Sequence, residues 1–301
     1  MGIKEDFKQL EEKCEHDYDI YKEKAADFEK EYNDVGKKFD VLIGTINAER
    51  LSFRKEIRAL YDFLMLVGGS LRGEKRISVF DFADESPAPS MESNDIKKVE
   101  NTNTFKKESI GWVLLVGFGF GAIGVATREF IRHNMNRATY ENCLMAVETK
   151  KSEYERDLNK KRNMVSDLKD AVEIAKIYRS IIVTVKDTIS EKIIPELDFI
   201  RSFLYADAIR ELVLEGESLE TDSIEPCNIA EYKGTKQDIH YQFIKNAFDF
   251  YRISTQFFKK PILTDILEDR VVTEQEKADF NEQVQLIKNQ ISSLEDMKVV
   301  K

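Results

Sequence analysis

The chain is predicted to be all-α, built from long heptad-patterned amphipathic helices in a coiled-coil or elongated bundle, with one central Gly-rich apolar membrane-inserting segment. Three observations predict this. Of 301 residues, 34% are charged and 42% hydrophobic, yet only 13 are Gly and 5 are Pro, which is the composition of a turn-poor, long-helix protein. Apolar side chains recur at alternating steps of three and four along most of the sequence. In their midst, residues 109–127 are uncharged and apolar, and at helical rise they reach about 28 Å, close to the thickness of a bilayer's hydrocarbon core.

Residues 1–67 are predicted to form one long helix. Tyr18, Tyr21, Ala25, Phe28, Tyr32, Val35, Phe39, Leu42 and Ile46 keep a heptad seam without a miss. Phe7, Leu10 and Cys14 extend it backward after a stutter, and Phe53, Ile57, Leu60, Leu64 and Val67 extend it forward. The seam is rich in Tyr and Phe, which fits a bundle with room for rings better than a two-stranded zipper. Residues 68–108 carry Gly68, Gly69, Gly73, Pro87, Pro89 and a Ser/Asp/Glu-rich stretch, the marks of a flexible linker.

The apolar segment, 109–131, allows three readings. The plainest is a core helix buried in a folded domain, for which the run is long and lacks any solvent-facing side. The second is a dinucleotide loop, since Gly119, Gly121 and Gly124 match GxGxxG after the strand-like Trp112 to Val116. Such a domain needs alternating strands and helices, and none surround it. The third is membrane insertion by Ile110, Trp112, Val113, Leu114, Leu115, Val116, Phe118, Phe120, Ile123 and Val125. Gly117, Gly121 and Gly124 would then offer a small-residue face for close helix packing. Trp112 at one end and Arg128 and Arg132 beyond the other suit interfacial anchoring. A membrane location with a single span is therefore expected, with orientation undetermined because both flanks are basic.

Residues 132–215 are predicted to be a second long helix, with Tyr140, Leu144, Val147, Tyr154, Leu158, Val165, Leu168, Val172, Ala175, Ile182 and Ile189 in heptad register. Pro195 lacks a backbone donor and should kink or end it near Ile194. Residues 216–236, with Pro226 and Gly234, read as a loop. The C-terminal region, 237–301, holds a helix from Ile239 to Phe257 closed by Pro261, and a last one opened by the capping pair Thr273 and Glu276.

Two topologies follow. A single span would put the two long helices on opposite sides of the bilayer, each needing partners in trans. A return through the linker would set them antiparallel, with the apolar run at the tip of a helical stalk. That segment order resembles the α-helical pore-forming toxins, such as cytolysin A and the tripartite haemolytic enterotoxins, in architecture alone. The resemblance implies membrane permeabilisation, and with no shared motif it assigns no residue a role.

Chemistry is not in evidence in the sequence. His16, His133 and His240 lie far apart with no metal-ligand spacing, and Cys14, Cys143 and Cys227 form no CxxC pair. In Gly68 to Lys75 a P-loop's lysine position is taken by Glu74. Met1 to Asp6 mixes acids and bases, so no cleavable signal peptide is expected, and Asp6 breaks a myristoylation pattern at Gly2. A net charge of −10 argues against nucleic acid as a partner. The expected function is that of a membrane-anchored coiled-coil assembly or scaffold protein, non-enzymatic and without cofactor or metal. Its expected partners are the lipid bilayer, and its own copies or other helical proteins. Replacing Phe28 and Phe39 with Asp is expected to abolish helix association by burying charge in an apolar seam, read as lost helicity in circular dichroism.

Overall fold

The computed structural model describes residues 2–69, 137–216, 224–259 and 272–297, and every regular element among them is helical. The α-helices are α1 (Ile3–Gly69), α2 (Arg137–Thr188), α3 (Ile194–Glu215), α4 (Asp238–Lys259) and α5 (Glu274–Asp296). A five-residue π-turn, Ile189–Ile193, joins α2 to α3, and a short 3-10 helix, Ile229–Tyr232, precedes α4. The chain divides into two compact units, Met1–Asp40 with Val99–Val172 and Val41–Lys98 with Glu173–Lys301, and α1 and α2 contribute to both.

In the first unit α1 and α2 lie side by side and run in the same direction. The Phe7 ring meets Tyr140 edge-on at 5.4 Å, Tyr21 stacks on Tyr154 at 4.4 Å, and Arg162 sits 5.9 Å above Phe28. Glu31 then pairs with Lys169 at 2.6 Å. As the number rises along α1 it rises along α2, so the pair is parallel. Leu10, Cys14 and Val147 form its buried end, with Tyr140, Cys143 and Leu144 packed against them.

The second unit is thicker. Ile43, Ile46, Phe53, Ile57, Leu60, Leu64 and Val67 turn one stripe of α1 inward. Glu49 reaches Lys186 at 3.2 Å and Arg179 at 4.0 Å, so α1 and α2 are parallel here as well. α4 runs the other way along α1, since Phe53 meets Phe258 at 4.2 Å while Tyr61 meets Tyr251 at 5.7 Å. α5 reverses again: Phe280 lies 5.9 Å from Phe257, and Gln290 donates to the Asn246 carbonyl at 3.1 Å. Phe257, Phe258 and Tyr178 close an aromatic centre, where burial pushes the Tyr178 hydroxyl up to about 12 against the pull of Arg50.

Local chemistry explains the ends. Thr273 accepts from the Glu276 backbone N–H, and the Glu276 carboxylate accepts from the Thr273 N–H at 2.7 Å, a complete capping box that opens α5. Those bonds from Thr273 hold the Glu276 carboxyl below its ordinary value. Gly216 closes α3 at φ 75°, a left-handed cap that glycine adopts without strain. Pro195 sits in the first turn of α3, where its missing N–H costs nothing, and the N–H of Ile194 reaches back to the Ile189 carbonyl across the π-turn. The helix thus widens ahead of the proline and continues to Glu215, and the region expected as a bare loop at 216–236 holds the 3-10 helix.

Two expectations are corrected. One bilayer crossing between α1 and α2 would separate them, whereas they pair along their lengths in both units. Among the described residues, no helix is long and apolar enough to cross a membrane. The expected membrane location with a single span is overturned on these grounds. The antiparallel return is overturned as well, by the parallel pairing. The apolar residues Ile110 to Val125, the small-residue face Gly117, Gly121 and Gly124, the GxGxxG match and the linker beyond Gly69 lie outside the described residues.

Gly44 sits exposed inside α1, and a Cβ built there meets nothing within 4 Å. Gly44→Ala is expected to raise stability by about 0.5–1 kcal/mol, because alanine loses less backbone freedom on folding. Urea unfolding of both chains checks the sign.

Candidate functional site

α3 is apolar on two faces. Leu197, Ile200, Leu204 and Ala208 face inward and are buried. On the other side Phe199, Ser202, Ala206, Ile209 and Val213 follow one another at steps of three, four, three and four, and all are exposed. Phe199 is 44% exposed, Ile209 40% and Val213 55%. This is a heptad stripe with no partner helix against it among the described residues. The Phe199 ring lies 6.2 Å from His240, beside the exposed Ile239 at the start of α4.

Beside the stripe, Asp207 and Glu211 stand one turn apart on α3, and Cys227 approaches from the following segment. The Cys227 N–H donates to the Leu204 carbonyl at 3.2 Å, which pins that segment to the helix. One ligand atom from each of the three residues lies within 4.8 Å of the others, two hard carboxylate oxygens and one soft sulfur, a mixed set of the kind that a borderline divalent cation such as zinc accepts. Asp207 is already engaged, by Arg210 at 2.7 Å and by the Tyr232 hydroxyl. Burial pushes the Cys227 thiol up; a hydrogen bond with Tyr232 opposes this, and the Glu211 and Asp207 carboxylates reinforce it. Tyr232 is raised as well, by burial and then by its bond to Asp207. The arrangement ties the 3-10 helix to α3 as a closed polar network.

In the first unit the heptad residues lie between α1 and α2 at different depths. Tyr32 and Phe39 are buried, while Tyr18, Tyr21, Phe28 and Val35 are half-buried. Two helices are too thin a layer to cover such rings. Tyr21 donates to Asp157 at 2.7 Å, and Asp157 also pairs with Lys161 at 3.5 Å. Burial pushes Tyr154 up to about 12. Next to this ladder an open groove runs between the helices, floored by Phe28 and Leu158 and rimmed by Lys24, Asp27, Glu31, Glu155, Asn159 and Arg162. In the second unit Ile46 is fully buried, but Leu42 is half-buried and its neighbour Ile43 takes the inward position.

The α3 stripe escaped the sequence reading because Ser202 and Ala206 make it look solvated beside the stronger inner stripe. Its signal was present in the spacing of Phe199, Ile209 and Val213, legible once both phases of the helix are scored.

His240 is buried at the foot of this site, 4.6 Å from the Phe203 ring, and burial holds its imidazole below the ordinary 6.5. Below that value the unfolded chain takes up a proton that the folded chain refuses, so stability is expected to fall as pH drops from about 7 to about 5. His240→Phe removes that component. Urea midpoints across this range should then fall less steeply in the variant than in the parent chain. Comparison with protein-family models, with curated proteins and with solved structures finds no match to this chain.

Proposed function

We propose that the protein is a non-enzymatic assembly or scaffold protein that joins helices by coiled-coil packing, with its own copies or another helical protein as partner. The observation that carries this is the outer stripe of α3. A helix that buries one apolar heptad stripe and displays a second is built to pack on both sides. Phe199, Ile209 and Val213 are already about half covered, so a partner that completes their burial contributes about 0.7–1.5 kcal/mol each, half of what burying a fully exposed side chain gives. The acid and thiol network beside the stripe ties the 3-10 helix to α3 and so helps to hold the displayed face in place.

Ile209→Asp with Val213→Asp tests the reading. Both positions face solvent, so helicity is expected to stay unchanged while self-association, or capture of a defined helical partner, is lost in sedimentation velocity. Association that survives the pair of charges removes α3 as the contact. Release of dye from lipid vesicles by the full chain would favour membrane permeabilisation instead.

A further inference from the structure

We propose that the outer stripe of α3 is the contact between two copies of this chain, which pack α3 against α3 in antiparallel fashion about a two-fold axis at Ala206. The proposal rests on the reading of that stripe as a packing face and commits the face to one occupant. Phe199, Ser202, Ala206, Ile209 and Val213 have Ala206 at their midpoint, seven residues from either end. An antiparallel copy centred there overlays the stripe on itself end for end, which is the self-complementary contact that a two-fold dimer requires.

The order of side-chain sizes fits that direction. In the antiparallel overlay Phe199 comes level with Val213 of the second copy, Ser202 comes within one residue of Ile209, and Ala206 meets its own counterpart at the axis. The ring and the small hydroxyl each face an aliphatic side chain, and the methyl groups at the axis let the two helices approach closely. A parallel overlay would set Phe199 on Phe199, Ser202 on Ser202 and Ala206 on Ala206, a crowded layer beside two open ones. Each end of the stripe also carries one more exposed aliphatic residue, Ile239 beside Phe199 and Leu214 after Val213. The antiparallel overlay brings the Leu214 end of one copy to the Ile239 end of the other.

Charge points the same way. Asp198 and Arg201 balance each other toward the start of α3, whereas Glu211 and Glu215 are exposed toward its end, where Arg210 is committed to Asp207. A parallel pair would set the acids of both copies side by side, at the end where the helix carbonyls are already negative. The antiparallel pair parts them and brings Glu215 to within about one helical turn of Arg201 of the second copy. The stripe is about 21 Å long and one helix wide, so the contact is small and the dimer forms and separates with concentration. Each copy spends its stripe on the other, and the assembly closes at two.

Sedimentation velocity of the full chain is expected to show a monomer–dimer equilibrium that moves with concentration, with no larger species. Under mild oxidation by copper phenanthroline, Ala206→Cys is expected to bridge to its own copy. A mixture of Ser202→Cys and Ile209→Cys chains is expected to bridge position 202 to position 209, while Ser202→Cys alone gives no 202-to-202 bridge. Peptide mapping tells these from bridges through the native cysteines. All three positions are exposed, so the variants are expected to keep the parent's helicity. A chain that stays monomeric up to millimolar concentration overturns the proposal and leaves the packing face to a different helical protein. Bridges from 202 to 202 overturn it too, by making the pair parallel, and leave α3 as the contact. A dimer that forms neither the 206 bridge nor the 202-to-209 bridge overturns it as well. If that dimer also survives Ile209→Asp with Val213→Asp, the reading of α3 as a packing face falls with it.

Discussion

Parallel pairing of α1 with α2 constrains everything else in this chain. Contacts at separations of 136, 138 and 137 residues, from Tyr21 to Asp157, Glu31 to Lys169 and Glu49 to Lys186, keep nearly constant step along both helices. Antiparallel helices can be joined by a few residues, but parallel ones require a connection that travels back. The residues between Gly69 and Arg137 therefore carry a topological duty, and the pairing itself denies them a single passage through a bilayer.

The two units meet the same pair of helices with different amounts of packing. In the first, the Tyr21 stack on Tyr154 leaves the Tyr21 ring half-buried, and its hydroxyl finds a carboxylate partner in Asp157. In the second, α4 and α5 supply Phe257, Phe258 and Phe280, and the seam of α1 falls to complete burial at Phe53, Ile57, Leu60 and Leu64. Opening of the first unit is accordingly the easier event, since fewer buried apolar contacts hold it.

The all-α class was legible because period and composition agree from Leu10 to Leu294. Direction was not, because a heptad reads the same for parallel and antiparallel partners, and the pairs that decide it, such as Phe7 with Tyr140, are remote in sequence. The membrane expectation came from the length and hydropathy of one window, which carry no information about what its flanks touch. Finer misses have local causes. Leu42 and Ile43 are both apolar and adjacent, and sequence alone does not say which one turns inward; in the structure Ile43 is buried and Leu42 is half-buried. Arg50 occupies an inward position that a hydropathy count passes over, yet it is buried beside Tyr178. At the candidate site, the helix and its inner stripe were legible, while the convergence of Asp207, Glu211, Cys227 and Tyr232 depends on a chain reversal that no spacing encodes.

The π-turn at Ile189–Ile193 bears on how such a helix tolerates change. Inward residues Val185, Ile189, Ile193 and Leu197 succeed one another at steps of four, a run that would carry an ordinary α-helical stripe steadily around the cylinder. The wider turn absorbs that drift, so the stripe before it and the stripe after it address the same core. The π-turn holds one residue more than an α-turn, so removing one residue from this stretch is expected to tighten the winding and leave the facing of α3 unchanged, whereas the same removal elsewhere along α2 or α3 would turn the stripe away from the core.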